Sequence, residues 1–167
     1  DSEFAQTIPE YRILFTGLLD EDLEITFSNI LDRYGRSIKT FDAKGVRSDG
    51  EEVEIEFTGI RLGDIFDDLS IKAEAKYVIA YATDLYAADY DIEKIKKEDS
   101  YLVWKKEGQY LNPTADGVLK IVVDGGPTYK WVKNPVLFEF VEQFSDLVPV
   151  ADRLEVDAID FVSEQNF

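Results

Sequence analysis

Cysteine and histidine are both missing from this chain of 167 residues. The first absence removes disulfides, thiolate nucleophiles and soft metal ligands; the second removes imidazole bases and the usual nitrogen ligands of zinc and iron. Any metal held by side chains would need oxygen ligands. A cysteine-free chain suits either side of a membrane, so redox compartment stays open. Positive charge is scarce, with 18 Lys and Arg against 35 Asp and Glu and a formal net charge of −17. That balance excludes nucleic acid as a partner and disfavours anionic membrane surfaces. Long apolar runs are absent too: none approaches the roughly 20 residues that cross a bilayer, which predicts a soluble chain with no membrane insertion. Asp1 rather than methionine opens the chain, raising the expectation of a processed or trimmed product whose targeting segment lies outside it.

What is present suits one domain with a real core, since 45% of residues are hydrophobic and 13% aromatic. "YRILFTG" (11–17) and "DLEIT" (22–26) read as strands. Thr26 is placed to cap a helix through Tyr34, with Phe27, Ile30 and Leu31 inward and Gly35 as its stop. Asp49-Gly50 predicts a hairpin whose second arm buries Val53, Ile55 and Phe57 and exposes Glu52, Glu54 and Glu56. "RLGDIFDDL" (61–69) spaces Leu62, Ile65, Phe66 and Leu69 along one helical face. "KYVIAYAT" (76–83) predicts a strand covered on both faces, and "DIEKIKKED" (91–99) a short charged helix. "YLVWKKEGQYL" (101–111) predicts a hairpin turning at Glu107-Gly108 with Trp104 in the core; "GVLKIVV" (117–123) and "PVLFEFVE" (135–142) predict later strands. Helices and strands interleave without a βαβ rhythm, so the class is α+β with a mixed sheet. The tail after residue 142 keeps apolar residues at 144, 147, 148, 150, 154, 156, 159, 161 and 162, and is expected to pack as an appendage, 143–167, on the domain formed by 1–142.

"DGGPTYKWVKNPV" (124–136) stands apart in so acidic a chain. Two glycines and a proline halt the backbone, then two aromatic rings and two lysines crowd into residues 129–133. Read alone, a Tyr-x-Trp alternation is core and rim at a strand edge, with Lys130 and Val132 on one face and Tyr129, Trp131 and Lys133 on the other. Adjacent acids such as Asp67-Asp68 and Glu51-Glu52 are read as solvated faces, because so many acids make such pairs common.

Five segments, in order, resemble the sulfite-oxidase-like molybdopterin-binding domain family. "FTGIRLGDIFDDL" is similar to its "y-tGvpLkdlL" segment, and "KYVIAYATDLYAADYDIEKI" to its strand, "sDGYs" turn and helix. "YLVWKKEGQYLNPTADGVLKIVVDGGPTYKWVKNPVLFEF" resembles its hairpin, "GPlRlvvPg" strand, "KWvKn" loop and final strand. The matches run from about residue 38 to 140. The family's molybdenum-binding cysteine stands in a "C-x-G-N-R" stretch; here "AKGVR" (43–47) keeps Gly45 and Arg47 but puts Ala43 at the cysteine and Val46 at the asparagine. Alanine has no donor atom, so the resemblance implies the pterin-binding fold without the metal chemistry.

For the opening cluster, the resemblance implies a ligand wall. Tyr129 and Trp131 would offer stacking faces, Lys130 and Lys133 positive charge, and Gly125 and Gly126 close backbone approach, with the choice between the two rings open. Arg47 would bind a pterin edge or phosphate through paired donors, the alternative being a surface ion pair. Thr83, Asp84 and Tyr86 lie on the turn that the family sets beside its pocket, the alternative for Asp84 being turn capping. Leu85 occupies that turn's glycine position, where a left-handed backbone costs on the order of 1 kcal/mol unless the turn changes type. The expected ligand is a pterin, tetrahydropterin or molybdopterin-like, without molybdenum. Some cysteine-lacking members of the family act outside the cytoplasm, bind a reduced pterin and regulate a membrane-bound cyclic-di-GMP enzyme through its sensory domain. That implies a periplasmic or extracytoplasmic, non-catalytic regulator. The alternatives are an oxidoreductase with an atypical cysteine-free site, and a degenerate interaction domain.

Overall fold

The computed structural model describes residues 10–97, 99–143 and 153–165. The described residues form two mixed sheets with helices packed on them, in the α+β class expected. The first holds β1 (Arg12–Gly17), β2 (Leu23–Thr26), β5 (Tyr77–Ala82), β6 (Ala87–Asp91) and β11 (Pro135–Val141), in the order β2-β1-β11-β5-β6. Only β1 and β11 run parallel there. The second holds β3 (Lys39–Val46), β4 (Glu52–Arg61), β7 (Ser100–Lys106), β8 (Gln109–Tyr110), β9 (Lys120–Val123) and β10 (Gly126–Pro127). Its order is β10-β3-β4-β7-β8 with β9 also on β7, and β10 runs parallel to β3. Four helices lie among the described residues: α1 (Phe27–Tyr34), α2 (Leu62–Asp67), α3 (Ile92–Lys97) and α4 (Val156–Ser163).

Local chemistry explains most boundaries. The Thr26 hydroxyl accepts from the Asn29 amide at 3.1 Å while the Asn29 side chain accepts from the Thr26 amide at 3.0 Å, a reciprocal cap that starts α1. Gly35 does not stop that helix through a left-handed residue. Its φ is −56°, and the chain tightens into a 3-10 turn, Gly35–Ser37. Phe27 and Ile30 are buried as expected, Leu31 packs half-buried against the main core, and Tyr34 is buried too, its hydroxyl donating to Asp68 at 2.6 Å. Glu107 and Gly108 both have positive φ, the geometry that matches the twist of a tight hairpin. The strand expected over 117–123 begins only at Lys120: Gly117 has a φ of +80°, and the Val118 amide turns to donate to the Asn134 side chain at 2.7 Å.

The main core fills the space between the first sheet, the helices and one face of the second sheet. Phe15 stacks on Phe138 at 5.2 Å, Phe66 meets Phe140 at 5.2 Å, and Trp104 meets Phe27 edge-on at 4.8 Å. From the tail, Leu154, Phe161 and Val162 join this core, whereas Val156, expected inside, is 72% exposed at the start of α4. Phe144, Leu147, Val148 and Val150 lie outside the described residues.

A second, smaller cluster sits on the other face of the second sheet: Ala43, Phe57, Tyr101, Val103, Leu111, Val122 and Trp131. Phe57 is buried as the β4 alternation required, but Val53 and Ile55 are half-buried and Glu56 is not fully exposed. The departure has a cause. That end of β4 lines a cavity.

Candidate functional site

Gly125, at a φ of +84°, turns the chain and donates its amide to the Lys44 carbonyl at 2.6 Å. Gly126 and Pro127 then pair with Gly45 and Val46, so the close backbone approach offered by the glycines is to β3. Proline has no N–H with which to extend the ladder. Residues Thr128–Lys130 coil into a single 3-10 turn, and the Trp131 amide donates back to Thr128 at 3.0 Å. The strand-like alternation expected over 129–133 is therefore absent.

The indole decides this geometry. Its N–H donates to the Val123 carbonyl at 3.0 Å, and its ring meets Phe57 edge-on at 5.7 Å. The benzo ring also covers Gly45 so closely that a Cβ there would lie 2.6 Å from it. Trp131 is consequently buried, whereas Tyr129 on the same turn is 62% exposed. Two phenols of β6 and its preceding turn hold the 3-10 turn from the side of the first sheet. Tyr86 donates to the Tyr129 carbonyl at 2.7 Å, and Tyr90 donates to the Lys130 carbonyl at 2.6 Å.

Beside the indole lies a cavity of about 310 Å³, walled by Val53, Ile55, Thr128 and Trp131 and lined by Arg47, Lys106, Lys120 and Lys133, with Asp116 as its acid. Asp116 pairs with Lys120 at 3.2 Å and with Lys106 at 3.8 Å. Lys120 is itself buried, 5.9 Å from the centre of the Phe57 ring and 6.0 Å from that of Trp131. Burial lowers its ammonium below the ordinary lysine range; Asp116 opposes that shift, while Lys133 and Lys106 add to it. Arg47 reaches the same cavity while pairing with Glu51 at 3.8 Å, so it makes the surface pair given above as its alternative and still faces the cavity.

A second cavity, of about 260 Å³, shares Thr128, Trp131 and Lys133 with the first and adds Ala82, Asp84, Tyr86, Tyr129 and Val132. Its rim is the turn between β5 and β6. Leu85 keeps the left-handed backbone there at a φ of +68°, with its amide on Ala82 at 2.9 Å and its side chain against the main core. The Asp84 carboxylate accepts from the Tyr86 amide at 3.0 Å, so it caps the turn as well as lining the cavity.

Of the residues expected at a site, Arg47, Trp131 and Lys133 meet in the first cavity, and Asp84, Tyr86, Tyr129, Trp131 and Lys133 in the second. Thr83 is half-buried and lines neither. Lys130 turns away, donating to the Asp89 carbonyl with its ammonium 5.4 Å from the centre of the Tyr90 ring. Lys106, Asp116 and Lys120 were not foreseen. The usable signal was a lysine inside the apolar run "GVLKIVV" with an aspartate four residues before it, since a buried lysine needs a partner.

These residues suit the organic part of a pterin cofactor and not its metal. Cations with indole and phenol rings match a flat heterocycle carrying an anionic group. Ala43 is fully buried in the Trp131 cluster and offers no ligand atom, and no cysteine exists elsewhere in the chain. Among the described residues no three carboxylates gather where they could hold a metal ion.

The fold is similar to that in the crystal structure of the sulfane dehydrogenase SoxCD from Paracoccus pantotrophus, with a TM-score of 0.71 and 20% identity. The match covers 81% of this chain and 39% of that one, so the present chain spans well under half of the dehydrogenase chain. At that identity the likeness shows fold alone. No curated protein matches the chain in sequence. Residues 4–146 match the oxidoreductase molybdopterin binding domain, and the chain belongs to that family.

Proposed function

We propose that this chain is a non-catalytic pterin-binding protein, acting outside the cytoplasm as a ligand-responsive regulator of a membrane-bound cyclic-di-GMP enzyme. One observation carries the binding half of this reading: a cationic, aromatic-walled cavity is kept beside a buried alanine that replaces the family's metal ligand. A pterin-type ligand would place its anionic group among Arg47, Lys106, Lys120 and Lys133 and its ring system against Trp131 or Tyr129. In a chain of net charge −17, attraction for that group must be local, within a Debye length of about 8–10 Å. The regulatory half, including the sensory domain of a membrane protein as partner, rests on the resemblance to cysteine-lacking members alone.

Family membership and the dehydrogenase-like fold favour a second reading, an oxidoreductase whose metal is held only through the pterin's own sulfurs. Mass spectrometry of small molecules released from natively purified protein, together with elemental analysis, separates the two. A pterin without molybdenum supports the first reading. About one molybdenum per chain overturns it in favour of the second, and a cavity that releases no pterin overturns both.

A further inference from the structure

Lys120 is the only buried lysine among the described residues, and its amino group opens onto a cavity rather than into packed side chains. Asp116 pairs with both Lys120 and Lys106, and Arg47 pairs with Glu51 from beyond the lining, which leaves four cations and one carboxylate around the space. The surplus of cations calls for an anion, and it sets that anion within reach of an amine. The Phe57 and Trp131 rings wall the amine, which limits the water that would hydrolyse an adduct.

We propose that Lys120 is a reactive amine that captures an anionic carbonyl compound, an aldehyde or ketone bearing a carboxylate or phosphate, as an imine. Asp116, 3.2 Å away, takes the ammonium proton. The freed nitrogen lone pair attacks the carbonyl carbon and forms the C–N bond. The adduct nitrogen passes a second proton to the carbonyl oxygen to give a carbinolamine, and Asp116 returns the first proton to its hydroxyl, so the oxygen leaves as water and a protonated C=N bond remains. No electrons are transferred, and hydrolysis reverses each step. Lys106, Lys133 and Arg47 hold the ligand's anion, and with Asp116 they are the charged groups facing Lys120 in the cavity. Burial and the neighbouring cations favour the neutral amine at Lys120, the activation expected of a desolvated lysine beside other cations. The inference uses the cavity but not the pterin reading.

The test treats the intact chain with glyoxylate and cyanoborohydride, which reduces any imine to a stable amine, and maps the modified lysines by mass spectrometry at early times. Lys120 is expected to label about tenfold faster than the exposed Lys44 and Lys76, as a larger fraction of free amine requires. Inorganic phosphate should suppress that labelling, and uncharged propionaldehyde should lose the selectivity. Lys120→Arg should remove the fast site, and Asp116→Asn should slow it, with melting curves confirming that both variants fold. Labelling of Lys120 in the wild-type chain no faster than at exposed lysines overturns the proposal, as does equal selectivity for propionaldehyde. Either result leaves pterin binding to be judged by the released-ligand experiment.

Discussion

On one face of the second sheet, Ile60, Leu102, Trp104 and Ile121 pack against helices and the first sheet. On the other, Phe57, Tyr101, Val122 and Trp131 form a cluster that carries the ammonium of Lys120 over two of its rings. The same strands supply both faces. The first is closed by the rest of the fold and obeys simple burial. The second is closed by a single 3-10 turn and left open along Val53 and Ile55, so charge and aromatic surface coexist there. Burial alone therefore does not separate packing from site on this sheet; what lies across from the face does.

The sharpest way to break this comparison is one substitution made on each side. Ile60→Lys buries an ammonium in the main core and should cost more than about 4 kcal/mol, enough to unfold a marginal domain. Ile55→Lys was expected from alternation to be as damaging, but its side chain can reach the open cavity, so about 1–2 kcal/mol should suffice. Equal losses in urea denaturation would erase the distinction between the faces.

Within the second face, the two rings of one turn should part company. Trp131→Ala removes a buried ring and should cost about 3–5 kcal/mol. Tyr129→Ala should change stability by no more than about 0.5 kcal/mol. If the exposed phenol stacks on the ligand, the same variant loses on the order of 1–3 kcal/mol of tetrahydropterin binding in calorimetry. Unchanged affinity in folded Tyr129→Ala would return that ring to the bare surface.

A single hydroxyl tests the closed side. Burial first, and then the hydrogen bond to Asp68, push the Tyr34 phenol from 10.0 up to about 12. A raised folded-state value means that its contribution is complete below pH 10 and lost as pH rises through about 12. Tyr34→Phe should cost about 1 kcal/mol at neutral pH, and the loss should shrink over that alkaline window. A loss that grows with pH would contradict the assignment.

Strands, helices and hairpin turns were legible because each rests on a local rule: Thr26 capping α1, Glu107-Gly108 closing a hairpin, β5 apolar throughout. The family was legible because its segments recur in order. The 3-10 turn was not, since it is set by an indole landing on Gly45, which is 86 positions earlier in the chain, and no periodicity in residues 128–131 records that contact. Lys106 and Asp116 were missed for the same reason: each is ordinary in its own segment and gains meaning only where β7 and β9 bring it to Lys120. Lys120 was missed as well, although a charge in an apolar run was a local signal that could have found it.

The contrast in sign between cavity and envelope has a kinetic consequence. An anion approaching from solvent first meets the repulsion of a chain of net charge −17 and feels the four cations only at close range. Added salt screens the long-range barrier more than the contact attraction. Moderate ionic strength should thus speed entry of an anionic ligand even as it loosens the bound state, the reverse of the slowing by salt seen when opposite charges steer two partners together.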